Sequence, residues 1–236
     1  MPRTPIKKYP LTALKVPLAG QQKRRKIFEQ VYAEKEWGDA GNEEFYSGGG
    51  SDEDMLLAYS NVVREFITQR QIQTVVDIGC GDFRAGRAGH VEGTRYIGID
   101  IVPSLIERNQ RDFSDSQVEF QCLDAVSDRL PDGDLCIIKQ VLQHLSNAEI
   151  ALILSEAKKY KYVIVTEHWP APSPLFEPNK DKRPDGDIRA SLHSGVYPHL
   201  PPFSYPDPQI LLEAAHTWPD SSSGESIVTM MFENLN

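Results

Sequence analysis

The sequence predicts an α/β protein whose mostly parallel sheet closes with an antiparallel C-terminal hairpin. Three observations carry that expectation. Short β-rich runs alternate with helical segments through the middle of the chain, a glycine turn follows the first run, and the chain ends on another strand-like run. Strands separated by helices are joined by crossovers, and crossovers of one hand give a parallel, doubly wound sheet.

Residues 1–20 hold four prolines and no clear period, so they read as an arm, and KRRKIFEQVYAEKEWG then reads as a short helix ending near Gly38. SGGGSDED, Ser47 to Asp54, is a glycine loop. Its Ser51-Asp52-Glu53-Asp54 opens a helix running to about Thr68, with acids in the first turn where the helix dipole favours them. TVVDIG, RYIGIDI, VEFQCLDA, DLCIIKQ and KYVIVTEH are five strands, with PSLIERNQRDF and NAEIALILSEAKKY as helices between them. Ten prolines between 170 and 208 then break the alternation, as a functional cap or a disordered insertion would. DPQILLEAAH is expected to be a helix, and HTWPD and SIVTMMFE, separated by SSSGE, the closing hairpin. The expected division is 1–55, a basic arm and glycine-loop cap, and 56–236, one domain with a Pro-rich acceptor-side insertion at 170–206.

Composition narrows the functional classes. Of 236 residues 40% are hydrophobic, enough for the core of one ordinary domain. The net charge of −9 hides an asymmetry: residues 1–28 contain eight Lys/Arg and no acid, leaving 17 basic against 34 acidic residues in the remainder. Such a body is not expected to bind nucleic acid. The basic arm suits peripheral contact with anionic lipid or an anionic acceptor, or is simply solvated. No apolar run approaches the length of a membrane span, and Cys80, Cys122 and Cys136 are too few and too spread for a disulfide framework. A reducing, cytoplasmic location is expected.

The glycine turn carries the chemistry. Gly79 and Gly81 begin a G-x-G, but Arg84 stands where a dinucleotide fingerprint needs its third glycine. The turn still lets a ligand approach the backbone closely, and Asp77 before it can accept hydrogen bonds from an amine. Asp100 ends the second strand, 21 residues beyond Gly79, where a ribose-binding acid is expected. Asp124, ending the third, is then set to accept from an adenine amino group.

DIGCGD, IGIDI, CLDA and IIKQVLQHLS together resemble the ordered motifs of class I S-adenosylmethionine-dependent methyltransferases, over about residues 56–168. The resemblance implies a Rossmann-like seven-stranded sheet and S-adenosyl-L-methionine as cofactor. By it, Asp77, Gly79, Gly81 and Asp82 form the cofactor turn, Asp100 with Ile101 lies at the ribose, Asp124 with Ala125 beside adenine, and Lys139 and Gln140 near the methionine moiety. Ser47 to Ser51 closes over the cofactor by the same resemblance, or is an ordinary linker. A narrower resemblance, through WG…SGGGS, CGDF, YIGIDIVPSLIERN, VLQHLSN, DIR and LPPF, is to a bacterial group of small-molecule methyltransferases associated with glycan biosynthesis; it runs from about Trp37 to Pro208. It implies a small polar acceptor and O-methylation of a sugar or glycan intermediate. N- or carboxyl-methylation of another metabolite, and a non-catalytic cofactor-binding scaffold, are the alternatives.

An alcohol must lose a proton to be methylated, which calls for an imidazole or carboxylate at the acceptor. His144, after the fourth strand, and Glu167-His168, ending the fifth, are the candidates; a buried or helix-capping His144 is the structural alternative. In the Pro-rich segment Asp187, Arg189 and Tyr197 are placed on the acceptor side. Arg189 either grips an acceptor anion bidentately or pairs with Asp187 to fix the loop. No metal is expected, since no H-E-x-x-H or similar spacing occurs.

Overall fold

The computed structural model describes residues 18–39, 41, 43–49, 53–215 and 224–234. Its helices are α1 (Leu18–Ala33), α2 (Glu53–Arg70), α3 (Arg84–Gly89), α4 (Pro103–Phe113) and α5 (Asn147–Ala157). Its strands are β1 (Thr74–Ile78), β2 (Arg95–Asp100), β3 (Val118–Cys122), β4 (Leu135–Lys139), β5 (Tyr162–Trp169), β6 (Gln209–Ala215) and β7 (Ser226–Glu233). They form one seven-stranded sheet in the order β3-β2-β1-β4-β5-β7-β6. The first five strands run parallel, and β7 pairs antiparallel with β5 and with β6.

Alternation along each strand sends side chains into two cores. Val76, Ile78, Ile97, Ile99, Ile138 and Val165 face α5, whose Ile150, Ile153, Leu154 and Ala157 are buried against them. Val75, Tyr96, Phe120, Ile137 and Ile164 face α2 on the other side, through Tyr59, Val63, Phe66 and Ile67. Helix α5 begins at a capping box: Glu149 N–H donates to the Ser146 side chain, and the Glu149 carboxylate accepts from Ser146 N–H.

Two expectations need correction. Gln209–Ala215, expected to be a helix, is an edge strand with a register shift between Ile210 and Leu212. Its Leu, Glu and Ala favour helix locally, but the otherwise unpaired side of β7 offers a ladder of backbone partners, and pairing overrides propensity. The closing hairpin therefore joins β6 to β7. HTWPD lies outside the described residues, as do the arm before residue 18 and Ser51-Asp52. Helix α3 was not expected: it starts directly from the glycine turn, after Phe83 at φ 66. Among the described residues no helix is long and apolar enough to cross a membrane.

Candidate active site

The glycine turn leaves β1 at the carboxyl edge of the sheet, where open α/β sheets bind ligands. Gly79 and Gly81 have φ of 69° and 53°, a left-handed conformation in which a side chain would be strained. Space is also lacking: a Cβ on Gly79 would lie 2.4 Å from Val141 Cγ2, and one on Gly81 2.5 Å from Ser47 Oγ. The N–H groups of Gly79 and Cys80 donate to Ile99 O (2.7 and 2.9 Å), which ties the turn to β2. Asp100 accepts from Gly81 N (3.3 Å) and Val102 N (3.1 Å). The glycine loop fastens onto the same turn: Ser47 N–H donates to Asp82 Oδ2 and Asp82 N–H to Ser47 Oγ, both at 2.8 Å. The Tyr32 hydroxyl from α1 lies 2.9 Å from Ser47 Oγ.

Beneath this loop is a cavity of about 190 Å³. All ten residues expected to bind the cofactor line it, together with Ser47, Gly48 and Gly49. Sequence reasoning missed the other side of the cavity. Arg24, Phe28 and Tyr32, spaced four apart on one face of α1, and Trp37 after it also line the cavity. That spacing is the one signal that could have singled out Arg24 from its basic neighbours.

The cavity is rich in acid. Burial raises the Asp77 pKa to about 7, against a 2.5 Å hydrogen bond from the Tyr96 hydroxyl and the positive charge of Lys139. Burial likewise raises Asp100 to about 6, opposed by the N–H groups it accepts from. Lys139 is pushed down to about 8, again chiefly by burial, with Asp77 opposing. Asp124 is different, because its carboxylate is already engaged. Arg24 Nη2 donates to Oδ2 at 2.5 Å and Nε to Oδ1 at 3.3 Å, while Val126 N–H and the Ser127 hydroxyl donate to the same two oxygens. Arg24 Nη1 also reaches Glu149 Oε1 at 3.0 Å. The expected adenine-reading carboxylate thus faces a guanidinium from α1.

At the other end, His144 closes a 3-10 turn, Leu142–His144, directly after β4. Its ring lies 5.0 Å from the Trp37 ring, and its Nε2 lies 3.4 Å from Gln143 Nε2. Burial, then the charge of Lys182, lowers its pKa to about 4, so the ring is neutral at physiological pH. The turn is held from below. Glu167, fully buried, accepts from Leu142 N (2.9 Å) and Gln143 N (3.2 Å). Arg189 Nη2 donates to Leu145 O at 2.5 Å and Nη1 donates to Lys180 O. Asp185 N–H donates to His144 O at 3.2 Å.

Five expected acceptor-side residues therefore sit away from the cavity. Glu167 and Arg189 turn toward backbone groups under the 3-10 turn, because buried polar groups need fixed partners there; burial raises the Glu167 pKa to about 8, against the N–H groups it accepts from and the charge of Arg189. His168, on β5, pairs across to Glu225 at 3.1 Å. Asp187 is exposed, and its carbonyl accepts from Lys182. Tyr197 stacks on Trp169, ring centroids 4.5 Å apart. The Pro-rich segment does reach the cavity, through Ile188, and Gly186 O accepts from Trp37 Nε1 at 2.8 Å. Among the described residues no group of three or more His, Cys, Asp or Glu has a metal-binding arrangement.

Residues 75–160 match the family model described as a methyltransferase domain. The structure is similar to that of the N-methyltransferase NodS from Bradyrhizobium japonicum WM9 in complex with S-adenosyl-L-homocysteine, with a TM-score of 0.60 at 12% identity over 87% of this chain and 99% of that one. It is also similar to the N-terminal domain of EvdMO1 with S-adenosyl-L-homocysteine bound, with a TM-score of 0.52 at 13% identity over 91% and 97% of the two chains. Against human N-acetylserotonin methyltransferase the TM-score is 0.48 at 16% identity; 72% of this chain is covered, and it spans half of that one. No curated protein matches the sequence.

Proposed function

We propose that this chain, an S-adenosylmethionine-dependent methyltransferase by its domain over residues 75–160, acts on a small polar acceptor and O-methylates a sugar or glycan intermediate. The observation that carries the reading is the polarity of the cavity: an acid-rich glycine turn at one end and a neutral, buried imidazole at the other.

The cofactor end fits its ligand. Asp77 and Asp100 have raised pKa values because burial outweighs the donors around them, and an adenosyl ligand bearing a sulfonium and an ammonium would favour their ionised forms. In this reading Asp100 holds the ribose hydroxyls, the turn at Gly79 and Gly81 lies along the methionine portion, and Asp77 faces its amine. With Asp124 bound to Arg24, Ala125 would be the residue left to hold the adenine. S-adenosylmethionine supplies, when bound, an electrophilic methyl carbon on a sulfur that takes back the bonding pair. What remains for the protein is to hold the acceptor in line, exclude water and receive a proton.

His144 is the proton acceptor, and Trp37 offers a flat face to the apolar side of a sugar ring. Glu167 and Arg189 are positioning residues that fix the turn carrying His144. Residues 18–49 are the cap over the cavity. Free Cys80, Cys122 and Cys136 support a cytoplasmic location. The test is release of S-adenosylhomocysteine when the protein is incubated with donor and a panel of sugars, nucleotide sugars and amines. Methylation confined to amines would replace the oxygen acceptor, and donor binding without turnover on a native metabolite extract would favour a scaffold.

A further inference from the structure

Asp124 stands where an acid is expected to accept from the adenine amino group, and the structure leaves it no free site. Its Oδ1 accepts from Arg24 Nε (3.3 Å) and Val126 N (3.0 Å), and its Oδ2 from Arg24 Nη2 (2.5 Å) and the Ser127 hydroxyl (3.0 Å). A carboxylate offers about four lone-pair sites, so a further donor finds none. Arg24 is in the opposite state. Nε, Nη2 and Nη1 make three bonds, two to Asp124 and one to Glu149, which leaves one hydrogen on each Nη of a side chain that lines the cavity. The guanidinium is also held in place from several directions. Glu149, whose Oε1 accepts from Nη1, is fixed through Oε2 by the Ser146 N–H and hydroxyl. Gln21, one turn earlier on α1, donates to Asp128 Oδ2 at 3.0 Å, and the same oxygen accepts from Asp124 N. Helix α1 is thus registered on the loop after β3 by two contacts, and Arg24 cannot swing away without stranding a buried carboxylate.

We infer that Arg24 is the purine-reading residue of the donor site, and that Asp124 is a positioning residue that holds the guanidinium against the base. The inference rests on the placement of the adenosyl donor in this cavity and on nothing about the acceptor. A carboxylate can only accept, so it would meet the adenine amino group. A guanidinium can only donate, so it meets the ring nitrogens, which carry lone pairs. With Arg24 on the wall and Asp124 saturated behind it, the edge pattern that the pocket selects is inverted: a hydrogen-bond acceptor on the base is required, and the amino group is not. A purine with an oxygen at position 6 is therefore admitted, because the free N–H groups of Arg24 donate to that oxygen as they do to a ring nitrogen.

The experiment is calorimetry of the full chain with S-adenosylhomocysteine and with S-inosylhomocysteine, in which a carbonyl oxygen replaces the amino group. The two should bind within about tenfold of each other. A carboxylate that read the amine would face that oxygen instead, so a loss of more than about tenfold for the inosyl ligand overturns the inference. Arg24→Met keeps the apolar stem and frees Asp124, and should make the protein prefer the adenosyl ligand by more than about tenfold. An equal loss for both ligands would make Arg24 a structural residue alone and overturns the inference as well. If Arg24→Met does not fold, the unaltered protein and Asp124→Asn decide: the ratio of the two affinities should be the same in both, and a preference that Asp124→Asn abolishes returns the purine to Asp124. Asp100→Ala is the control on the placement of the donor and should weaken both ligands alike. Where it does so and the ratio fails, the donor lies as placed and only the role of Arg24 is lost.

Discussion

The two ends of the cavity are built by different means. The cofactor end is a backbone structure: two glycines in a left-handed turn, N–H groups tied to Ile99 O, and an acid two residues before the turn. The proposed acceptor end is a side-chain structure, in which a short turn is braced by a buried carboxyl from β5, a buried arginine from the Pro-rich segment and a tryptophan from the loop after α1. A backbone device is fixed by a few adjacent residues and serves a shared ligand. A side-chain device assembles distant parts and can change its acceptor without disturbing the donor.

The largest expected effect separates the two ends outright. His144→Gln should lower turnover by about 10²–10⁴ while calorimetry finds donor affinity nearly unchanged. A matching loss of donor affinity would mean that the ends are one unit. Arg189→Ala should cost about 3 kcal/mol of stability in denaturant unfolding, because it strands the buried Leu145 carbonyl and the half-buried Lys180 carbonyl and leaves Glu167 without the nearby positive charge. If Arg189 instead gripped the acceptor, KM would rise and stability would hold.

Asp100→Ala should weaken S-adenosylmethionine binding by roughly 1.5–3 kcal/mol while turnover at saturating donor holds. Smaller still is a pH effect. Asp77 and Asp100 have folded pKa values of about 7 and 6, above the ordinary carboxylate range, and a cationic ligand prefers their ionised forms. Donor affinity should therefore be full above about pH 8 and decline as pH falls through those values, with protons released on binding at pH 6.5 in buffers of differing ionisation enthalpy. Affinity independent of pH would remove both acids from the contact. Ser47→Ala should have the least effect, about 0.5–1.5 kcal/mol on donor binding, since it loses the hydroxyl's two hydrogen bonds but keeps the Ser47 N–H bond to Asp82.

The same division explains what could be read from the sequence. Val75 to Gly81 announces a strand, a turn and a close backbone approach within seven residues, because turn chemistry is local. Asp100 followed from strand spacing. Arg24 did not: its partner Asp124 is 100 residues away, and only its four-residue spacing from Phe28 and Tyr32 sets it apart from Lys23 or Arg25. Glu167 and Arg189 were legible as unusual charges in apolar or Pro-rich company. Their orientation was not, because whether a buried charge faces a ligand or a backbone group depends on packing that no short window contains. The β6 strand failed for the related reason that its local propensity is helical and only its pairing with β7 makes it a strand.

Arg24 has a consequence for where this protein can be cut. Its guanidinium spans two acids on different elements, Asp124 after β3 and Glu149 in the first turn of α5. A chain begun at residue 56 would retain every strand of the sheet, yet it would leave both carboxylates without their cation and open the slot that α1 fills. The segment that looks like a dispensable preface is the counter-ion of the interior, so shortening the chain from its start amounts to a change of charge at its centre.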